Sequence, residues 1–459
     1  MATPSVSEIP GGVPPLSAER PVHWPKRTRA RLSSGFEVIL AESRRVPKLT
    51  GELVFRAGNA ALPGATPGLA AMAARVVRTG TSRRSSRQIE DDLRRIGADL
   101  SSGANADTTT ISFAGLSEHS RPLLALVGEL AREASFAEPE FERERRLRLE
   151  EVRNDRATPG FLAAERLRKV LYGAHPYSQY APTEQQVQEY RREELLAVYR
   201  RNYSPAHAVL LLVGDFEAQA VLAQAEEIFG PWRGETPAAR EFPAPPQLRG
   251  RRVHLVHVPG AVQTQILAGC LAINRKHPDW LKLVLANAVY GGAFNSRLVM
   301  NIREAKGYTY SPRSTLTPLR RAGHFTVFAA VRNDVVAATL TEIFYELDRM
   351  RSLPIPESEL ADGQNYLSGL FSLGLGSQEG LLGQLSTVAI DELPGDYLET
   401  YRGKMRALAP EDVLAASRDY FGSGNLQIVL VGDRAQIAQQ AALFGEVDFY
   451  DAQGAKLPG

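Results

Sequence analysis

Runs of apolar residues predict strands in both halves of the chain. Gly35–Ala41 and Arg252–Val258 alternate apolar and polar residues in part, as half-buried strands do. Two more continuous apolar runs, Ala208–Asp215 and Leu426–Asp433, both close with Val-Gly-Asp and predict buried strands. Residues that are β-branched or aromatic predict two further strands, at Thr108–Gly115 and His324–Val331.

Three segments between these strands have helical character. Apolar residues recur with helical spacing in Ser120–Ser135, and Val335–Arg351 occupies the corresponding place in the second half. Glu140–Arg156 is dense in charges of both signs, which is typical of a solvent-exposed helix. Strands mixed with packed helices predict an α+β sandwich in which helices cover one face of each sheet.

The same layout occurs twice along the chain. Asp215 and Asp433, which close the two Val-Gly-Asp strands, lie 218 positions apart, and Gly97 and Gly307 lie 210 positions apart. With 459 residues the chain is also too long for one ordinary core. We therefore predict two homologous domains, at residues 28–235 and 248–450, joined by a proline-rich linker at 236–247 and preceded by a flexible arm at 1–27.

Composition narrows the classes of function and location. The chain has 54 basic and 52 acidic residues, which gives no reason to expect a nucleic-acid partner. Its single cysteine, Cys270, excludes an internal disulfide and a cysteine-based zinc site. No apolar run approaches a membrane span, and the N-terminus lacks a signal-peptide pattern. We expect a cytoplasmic protein, or a periplasmic one if a leader has been removed.

The segment Gly68–Thr81 resembles the zinc-binding helix of the insulinase-type (pitrilysin-like, inverzincin) metallopeptidases. In that family a Gly-Leu-Ala lead-in precedes His-x-x-Glu-His, and a Gly-Thr pair follows. Here the positions where His, Glu and His would stand hold Ala71, Ala74 and Arg75. Alanine has no lone pair and arginine is a permanent cation without an acceptor, so this helix is not expected to bind zinc.

Similarity to this family continues through most of the chain after residue 30. The segments that carry it are Phe55–Gly58, Leu171–Tyr177, Tyr203–Pro205, Val213–Asp215, Phe294–Leu298 and Ile302–Ser311. The resemblance implies two homologous sandwich domains of the duplicated insulinase-type, LuxS-like metallohydrolase fold. It also implies that two such chains pair around a chamber that binds peptides, with the zinc held in a homologous partner subunit.

Glu151 stands where the family's third metal ligand is expected, although a slip of one residue would select Glu150. With the other ligands missing, we expect Glu151 to be a solvated helix glutamate near arginines. No cofactor is expected in this chain.

Arg303 and Tyr310 match a pair that two-chain members of the family direct from the subunit without metal toward the partner's zinc. A phenol can donate to the oxyanion that forms during peptide hydrolysis, and a guanidinium can bind carbonyl or carboxylate oxygens. Tyr308 lies nearby and leaves the choice of tyrosine open. The structural alternative is that Arg303 pairs with a neighbouring acid while Tyr310 packs in the sheet.

The glycine-rich stretch Gly291, Gly292 to Asn295 is interpreted as a flexible loop near the substrate, because no phosphate-binding motif surrounds it. Leu373–Ser377 is a similar stretch, interpreted as a hinge or a chamber-lining loop. Family members bind extended peptides by adding them to a sheet edge, and Asp107–Gly115 or His324–Val331 are the strands expected to supply that edge.

Three functions remain open from the sequence. The first is the subunit without zinc of a heteromeric metalloendopeptidase, supplying Arg303 and Tyr310 in trans. The second is an inert scaffold or peptide-binding subunit of a larger complex. The third is an enzyme with an unrelated site, for which no set of residues is evident.

The degenerate helix predicts that the purified chain retains no stoichiometric zinc after incubation with the metal and gel filtration. Metal analysis by mass spectrometry checks this. Stoichiometric zinc together with peptide hydrolysis by the isolated chain would overturn the interpretation of the helix.

Overall fold

A computed structural model describes residues 22, 24–62, 64, 66–234 and 241–459. Most of the predicted N-terminal arm lies outside these residues, and so does the start of the predicted linker. The first described strand begins at Arg27, at the end of the predicted arm. The last one, at Lys456–Leu457, lies beyond the predicted end of the second domain at residue 450.

The described residues of the N-terminal half form a six-stranded sheet. In chain order its strands are β1 (Arg27–Arg31), β2 (Glu37–Glu42), β3 (Lys48–Phe55), β4 (Asp99–Ala104), β5 (Thr109–Leu116) and β6 (Ala208–Gly214). In space they follow the order β1-β2-β6-β3-β5-β4.

The described residues of the C-terminal half form a seven-stranded sheet. Its strands are β7 (Arg252–His257), β8 (Gln263–Ala272), β9 (Arg313–Thr317), β10 (Gly323–Arg332), β11 (Gln427–Gly432), β12 (Glu446–Tyr450) and β13 (Lys456–Leu457). The spatial order is β13-β12-β7-β11-β8-β10-β9.

Five strands of each sheet repeat one topology. The series β2-β6-β3-β5-β4 corresponds to β7-β11-β8-β10-β9, and in both the first pair is parallel and the other three are antiparallel. Gly97 and Gly307, which lie 210 positions apart, also occupy equivalent places. Each follows a helical segment, and their φ values are +59° and +64°. The duplicated α+β architecture inferred from the sequence is present in the fold. Only the outermost strands differ, because β1 runs antiparallel to β2 whereas β12 runs parallel to β7.

Helices connect and cover the sheets. In the N-terminal half they are α1 (Leu69–Val77), α2 (Ser86–Arg95), α3 (Ser120–Glu133), α4 (Glu138–Arg156), α5 (Pro159–Tyr172), α6 (Glu184–Glu189), α7 (Arg192–Asn202) and α8 (Ala218–Phe229). In the C-terminal half they are α9 (Trp280–Asn287), α10 (Val336–Ser352), α11 (Glu357–Gly374), α12 (Gln378–Ile390), α13 (Tyr397–Arg406), α14 (Pro410–Tyr420) and α15 (Arg434–Ala442). Two π-helical segments, Ala288–Gly292 and Val299–Ala305, follow α9.

Each half covers the sheet of the other half. Helix α12 packs on β6 and β3 of the N-terminal sheet, and α5 packs on β11 and β8 of the C-terminal sheet. The central strands are therefore buried on both faces, which explains why β6 and β11 are apolar throughout. The helices of each half cover one face of its own sheet, as predicted, and a helix from the other half covers the second face.

A buried polar contact joins the two halves beside α5. The Tyr172 hydroxyl donates to the Ala322 carbonyl at 3.0 Å and lies 2.8 Å from His324 Nδ1. Burial, with a smaller contribution from Arg168, lowers the pKa of His324 to about 3. The histidine is thus neutral in the folded protein at neutral pH.

No helix in the described part of the chain is long and apolar enough to cross a membrane.

The lowered pKa of His324 in the folded state predicts that the protein loses stability in acid. As the pH falls below about 6.5 the unfolded chain takes up a proton that the folded chain rejects until about pH 3. Between neutral pH and about pH 5, the free energy of unfolding of the wild type should therefore fall by about 2 kcal/mol more than that of His324→Asn. Urea titrations at the two pH values measure this difference. His119→Asn, at a partly exposed position, is the control and should keep the wild-type slope.

Candidate functional site

Helix α1 carries the three positions at which the resemblance places metal-binding and catalytic residues. The helix begins after Gly68, whose φ of +82° and close approach to the Tyr190 hydroxyl exclude a side chain there. Ala74 is fully buried, and Ala71 is half-buried with its N–H donating to Asn59 Oδ1 at 3.2 Å. Neither alanine presents a donor or acceptor to a ligand.

Arg75 is held by two carboxylates of helix α4. Its two terminal nitrogens donate to the two oxygens of Glu151 at 3.0 and 2.8 Å, in the bidentate geometry that suits guanidinium and carboxylate. Its Nε donates to Glu144 Oε2 at 3.2 Å. One fixed cation therefore joins α1 to two positions on α4 that lie about two helical turns apart.

The surrounding arginines complete the charge balance of this cluster. Arg143 and Arg148 lie 3.0 Å from Glu144 and Glu151 respectively. Burial acts to raise the pKa of the Glu151 carboxyl, but hydrogen bonds from Arg148 and Arg75 outweigh it and hold that pKa below its ordinary value. Both carboxylates are thus engaged by arginines, and the lowered pKa of Glu151 keeps that carboxylate ionised at neutral pH.

These residues do not fit a zinc ion. Zinc needs about three neutral or anionic donors, and α1 offers two alanines and a guanidinium. Among the residues that the structure describes, no group of three or more His, Cys, Asp or Glu side chains is arranged to hold a metal. The expectation that Glu151 lies near arginines agrees with the structure, but its contact with Arg75 itself was missed, as was Glu144.

A cavity of about 330 Å³ opens beside this cluster. Its wall includes Ala71 and Arg75 on one side and Ser102–Ala104 of β4 on another. Strand β4 is the edge of its sheet, and its residues alternate between exposed and half-buried. The expected edge strands were wrong: β5 and β10 lie one position inside the sheets, and β4 and β9 form the edges beside them.

Arg303 and Tyr310 meet at the surface of the C-terminal half. The Arg303 guanidinium lies 4.4 Å from the centre of the Tyr310 ring and 5.0 Å from that of Phe294. Its Nε is also 3.2 Å from Glu304 Oε1. Tyr310 and Phe294 are 79% and 71% exposed, so two unshielded aromatic rings hold one arginine between them.

The turn at Gly307 determines which of the two tyrosines, Tyr308 or Tyr310, is exposed at the surface. Gly307 N–H donates to the Arg303 carbonyl and Tyr308 N–H to the Ile302 carbonyl, both at 3.0 Å. The Tyr308 side chain then packs against the core of the C-terminal half, whereas Tyr310 projects from the loop before β9. Tyr310 does not pack in the sheet, in contrast to the structural alternative, whereas the contact of Arg303 with the neighbouring Glu304 agrees with that alternative. Phe294 was not recognised from the sequence as a contact of Arg303.

The glycine-rich stretch is more ordered than predicted. Gly291 and Gly292 belong to the π-helical segment Ala288–Gly292 rather than to a loop. A Cβ on Gly291 would lie 2.8 Å from the backbone nitrogen of Ser314, so this glycine allows the segment to pack against β9. Asn295 lies in the turn that follows and borders a cavity of about 370 Å³ beside the segment Val299–Ala305.

Two family models match the chain. Residues 37–180 match the model described as insulinase (peptidase family M16), and residues 190–367 match the model described as peptidase M16 inactive domain. Among curated proteins, the uncharacterized zinc protease YmxG of Bacillus subtilis is 24% identical over 354 residues, covering 73% of this chain and 84% of the relative.

Solved structures agree with these matches. The crystal structure of a peptidase M16 inactive domain from Pseudomonas fluorescens superposes with a TM-score of 0.83 at 26% identity, covering 89% of this chain and 98% of that one. A protease from Helicobacter pylori has the same fold, with a TM-score of 0.83 at 20% identity, covering 89% and 99% of the two chains.

The Arg75 cluster predicts a stabilising role for this arginine. Arg75→Met removes three donated hydrogen bonds and leaves the buried Glu144 with fewer partners, so the free energy of unfolding should fall by about 1–3 kcal/mol. The control is Arg87→Met at a 93% exposed side chain on α2, which should change it by less than about 0.5 kcal/mol. Equal effects of the two substitutions in urea titrations would contradict a structural role for the cluster.

Proposed function

Because the chain belongs to the insulinase family of M16 peptidases, we propose that it is the subunit without a metal site in a heteromeric zinc endopeptidase. A homologous partner with an intact His-x-x-Glu-His helix holds the zinc. The two chains enclose a chamber in which unstructured peptides are cleaved, and this chain contributes Arg303 and Tyr310 to the partner's active site.

The proposal rests on one observation: the two candidate sites differ in how far their polar groups are already bonded within the chain. Around Arg75 the polar groups are engaged with one another, so this site has little capacity for chemistry. At the second site Arg303 contacts Glu304, but the Tyr310 side chain is 79% exposed, and its hydroxyl forms no hydrogen bond with another described residue. An exposed phenol beside an arginine is suited to act on something outside this chain.

The chemistry of the pair suits peptide hydrolysis. Zinc in the partner would supply Lewis-acid polarisation of the scissile carbonyl. The Tyr310 hydroxyl can donate to the oxygen on which negative charge develops, and this interaction is stronger in the transition state than in the ground state. Arg303 keeps terminal N–H groups for a carbonyl or carboxylate of the peptide, while the rings of Phe294 and Tyr310 limit its rotation.

A second candidate function is a peptide-binding scaffold without a catalytic role. It is favoured by the edge strand β4, which borders the cavity beside Arg75 and could pair with an extended peptide. On this account the isolated chain binds unstructured peptides, and no mixture with a zinc-bearing homologue hydrolyses them faster than the homologue alone.

The trans-catalysis proposal predicts a defect in turnover when the pair is changed. In a mixture with the zinc-bearing homologue from the same organism, Tyr310→Phe should lower kcat by about 10²–10³ with a small change in KM, because the lost donor acts in the transition state. Arg303→Ala should lower kcat/KM, since it removes a substrate contact and a support of Tyr310.

Matched substitutions elsewhere on the same half serve as controls for this experiment. Tyr366→Phe on α11 and Arg332→Ala at the end of β10 should leave both constants unchanged. Native rates for Tyr310→Phe and Arg303→Ala in an active mixture would refute the role of the pair.

A further inference from the structure

The segment that carries Arg303 ends in one wide helical turn. After the π-helical segment Val299–Ala305, the Lys306 N–H donates to the Asn301 carbonyl at 3.1 Å, so donor and acceptor lie five positions apart. The next bond, from the Gly307 N–H to the Arg303 carbonyl at 3.0 Å, spans four positions as in an ordinary α-helix. The wide turn therefore runs from Asn301 to Lys306 and encloses Arg303.

The direction of the Arg303 side chain depends on this turn staying wide. π-helical turns are rare and are frequently found at functional sites, where surrounding contacts hold the less favourable backbone. If the extra residue were expelled, the segment would become α-helical and Arg303 would turn by about 100° around the helix axis. Its guanidinium would then leave the rings of Phe294 and Tyr310.

One carboxylate on α10 binds both ends of the wide turn. Glu342 Oε2 accepts a hydrogen bond from Asn301 Nδ2 at 2.9 Å, and Glu342 Oε1 accepts one from Lys306 Nζ at 2.7 Å. Asn301 and Lys306 are the two residues whose backbone groups close the turn. The Glu342 side chain therefore fixes the same pair of residues that the backbone bond joins.

A second carboxylate on α10 supports this arrangement. Asn301 Nδ2 also donates to Glu346 Oε1 at 2.9 Å, and the buried Glu346 is bound in turn by Arg349. Burial acts to raise the pKa of the Glu342 carboxyl, but hydrogen bonds from Lys306 and Asn301 outweigh it and hold that pKa below its ordinary value. Glu342 is thus an ionised acceptor at neutral pH, and hydrogen bonds to an ionised group are the stronger kind.

The Arg303 side chain has no such tie to α10 among its contacts in the described part of the chain. These contacts are Glu304 of the same segment and the mostly exposed rings of Phe294 and Tyr310. An adjacent carboxylate and exposed rings can move together with the segment. The position of the guanidinium is therefore set by the turn that carries it.

We propose that Glu342 is a positioning residue for the proposed peptidase reaction: by binding Asn301 and Lys306 it keeps the wide turn open and directs Arg303 onto Tyr310. This role rests on the proposed function, since the position of Arg303 matters to catalysis only if the arginine reaches the partner's active site. The effect of Glu342 on the turn is a property of the isolated chain, so the two proposals can fail separately.

Fluorine NMR of the full chain with fluorotyrosine at position 310 tests the positioning without a partner. The guanidinium lies 4.4 Å from the centre of the Tyr310 ring, so Arg303→Ala should shift the fluorine resonance. Glu342→Ala should shift it in the same direction. Asp348→Ala, at an exposed position on the same helix, is the matched control and should leave the resonance in place. An unmoved resonance in a folded Glu342→Ala protein would overturn the proposal.

A second variant serves if Glu342→Ala does not fold. Asn301→Leu removes the bonds from one end of the turn to α10, with little change in side-chain size, and leaves the bond from Lys306 to Glu342 in place. Its fluorine resonance should move in the direction that Arg303→Ala defines. A resonance at the wild-type position in this variant would likewise contradict the role of the α10 contacts.

Kinetics in the mixture with the zinc-bearing homologue test the link to catalysis. Glu342→Ala should lower kcat/KM by roughly tenfold, because a displaced group loses much of its effect. Glu342→Ala combined with Arg303→Ala should be no worse than Arg303→Ala alone, since the glutamate acts through the arginine. Asp348→Ala should keep the native rate.

The two sets of measurements separate the possible failures. A loss in the double variant that equals the sum of the two single losses would mean that Glu342 has a general structural role, and it would overturn the positioning role. A shifted fluorine resonance together with native rates for both Glu342→Ala and Arg303→Ala would support the effect of Glu342 on the turn and refute the proposed peptidase role of the pair.

Discussion

The ion pairs that Arg75 forms with Glu144 and Glu151 determine what the site on helix α1 can do. Two carboxylates on one helix, those of the buried Glu144 and the partly exposed Glu151, are both paired with a cation. Arg75 supplies a permanent one from helix α1, and its planar fork satisfies Glu151 with two parallel hydrogen bonds. A covalently attached cation cannot dissociate, exchange or activate water. The helix pair is thus joined by ion pairs at the positions that the resemblance assigns to a metal site.

The substitutions at the expected metal positions are confined to helix α1, whereas the repeated two-domain fold around this helix is complete. Both sheets repeat the same five-strand topology, and helices α5 and α12 cross to cover the sheet of the opposite half. Such reciprocal burial makes the two halves depend on each other for their cores. The exposed Tyr310 beside Arg303 on this framework agrees with the division of labour between two chains that we propose.

The sequence predicted the repeated elements well because they depend on local patterns. The Val-Gly-Asp strands at β6 and β11 appear within one residue of their expected limits, as does the start of α3 at Ser120. Features that require distant parts of the chain were missed or wrong. Glu144 could have been found, because seven residues before Glu151 on a helix places it on the same face.

Other features had no local signal. The covering of each sheet by a helix of the other half cannot be inferred from periodicity, although the fully apolar β6 and β11 were consistent with it. The edge positions of β4 and β9 depend on pairings that span the fold. Phe294 lies in the turn between the two π-helical segments and Arg303 lies on the second of them, so their contact depends on a local geometry that the sequence did not predict.

The most direct test of the division of labour is the position of Tyr310 in the assembled complex. A photoreactive benzoylphenylalanine at residue 310 keeps the aromatic ring and reacts with whatever lies next to it. After irradiation with the zinc-bearing homologue, mass spectrometry should find cross-links to the partner's His-x-x-Glu-His helix and its immediate neighbours. Cross-links confined to other surfaces of the partner, or none in a complex that has formed, would contradict the account.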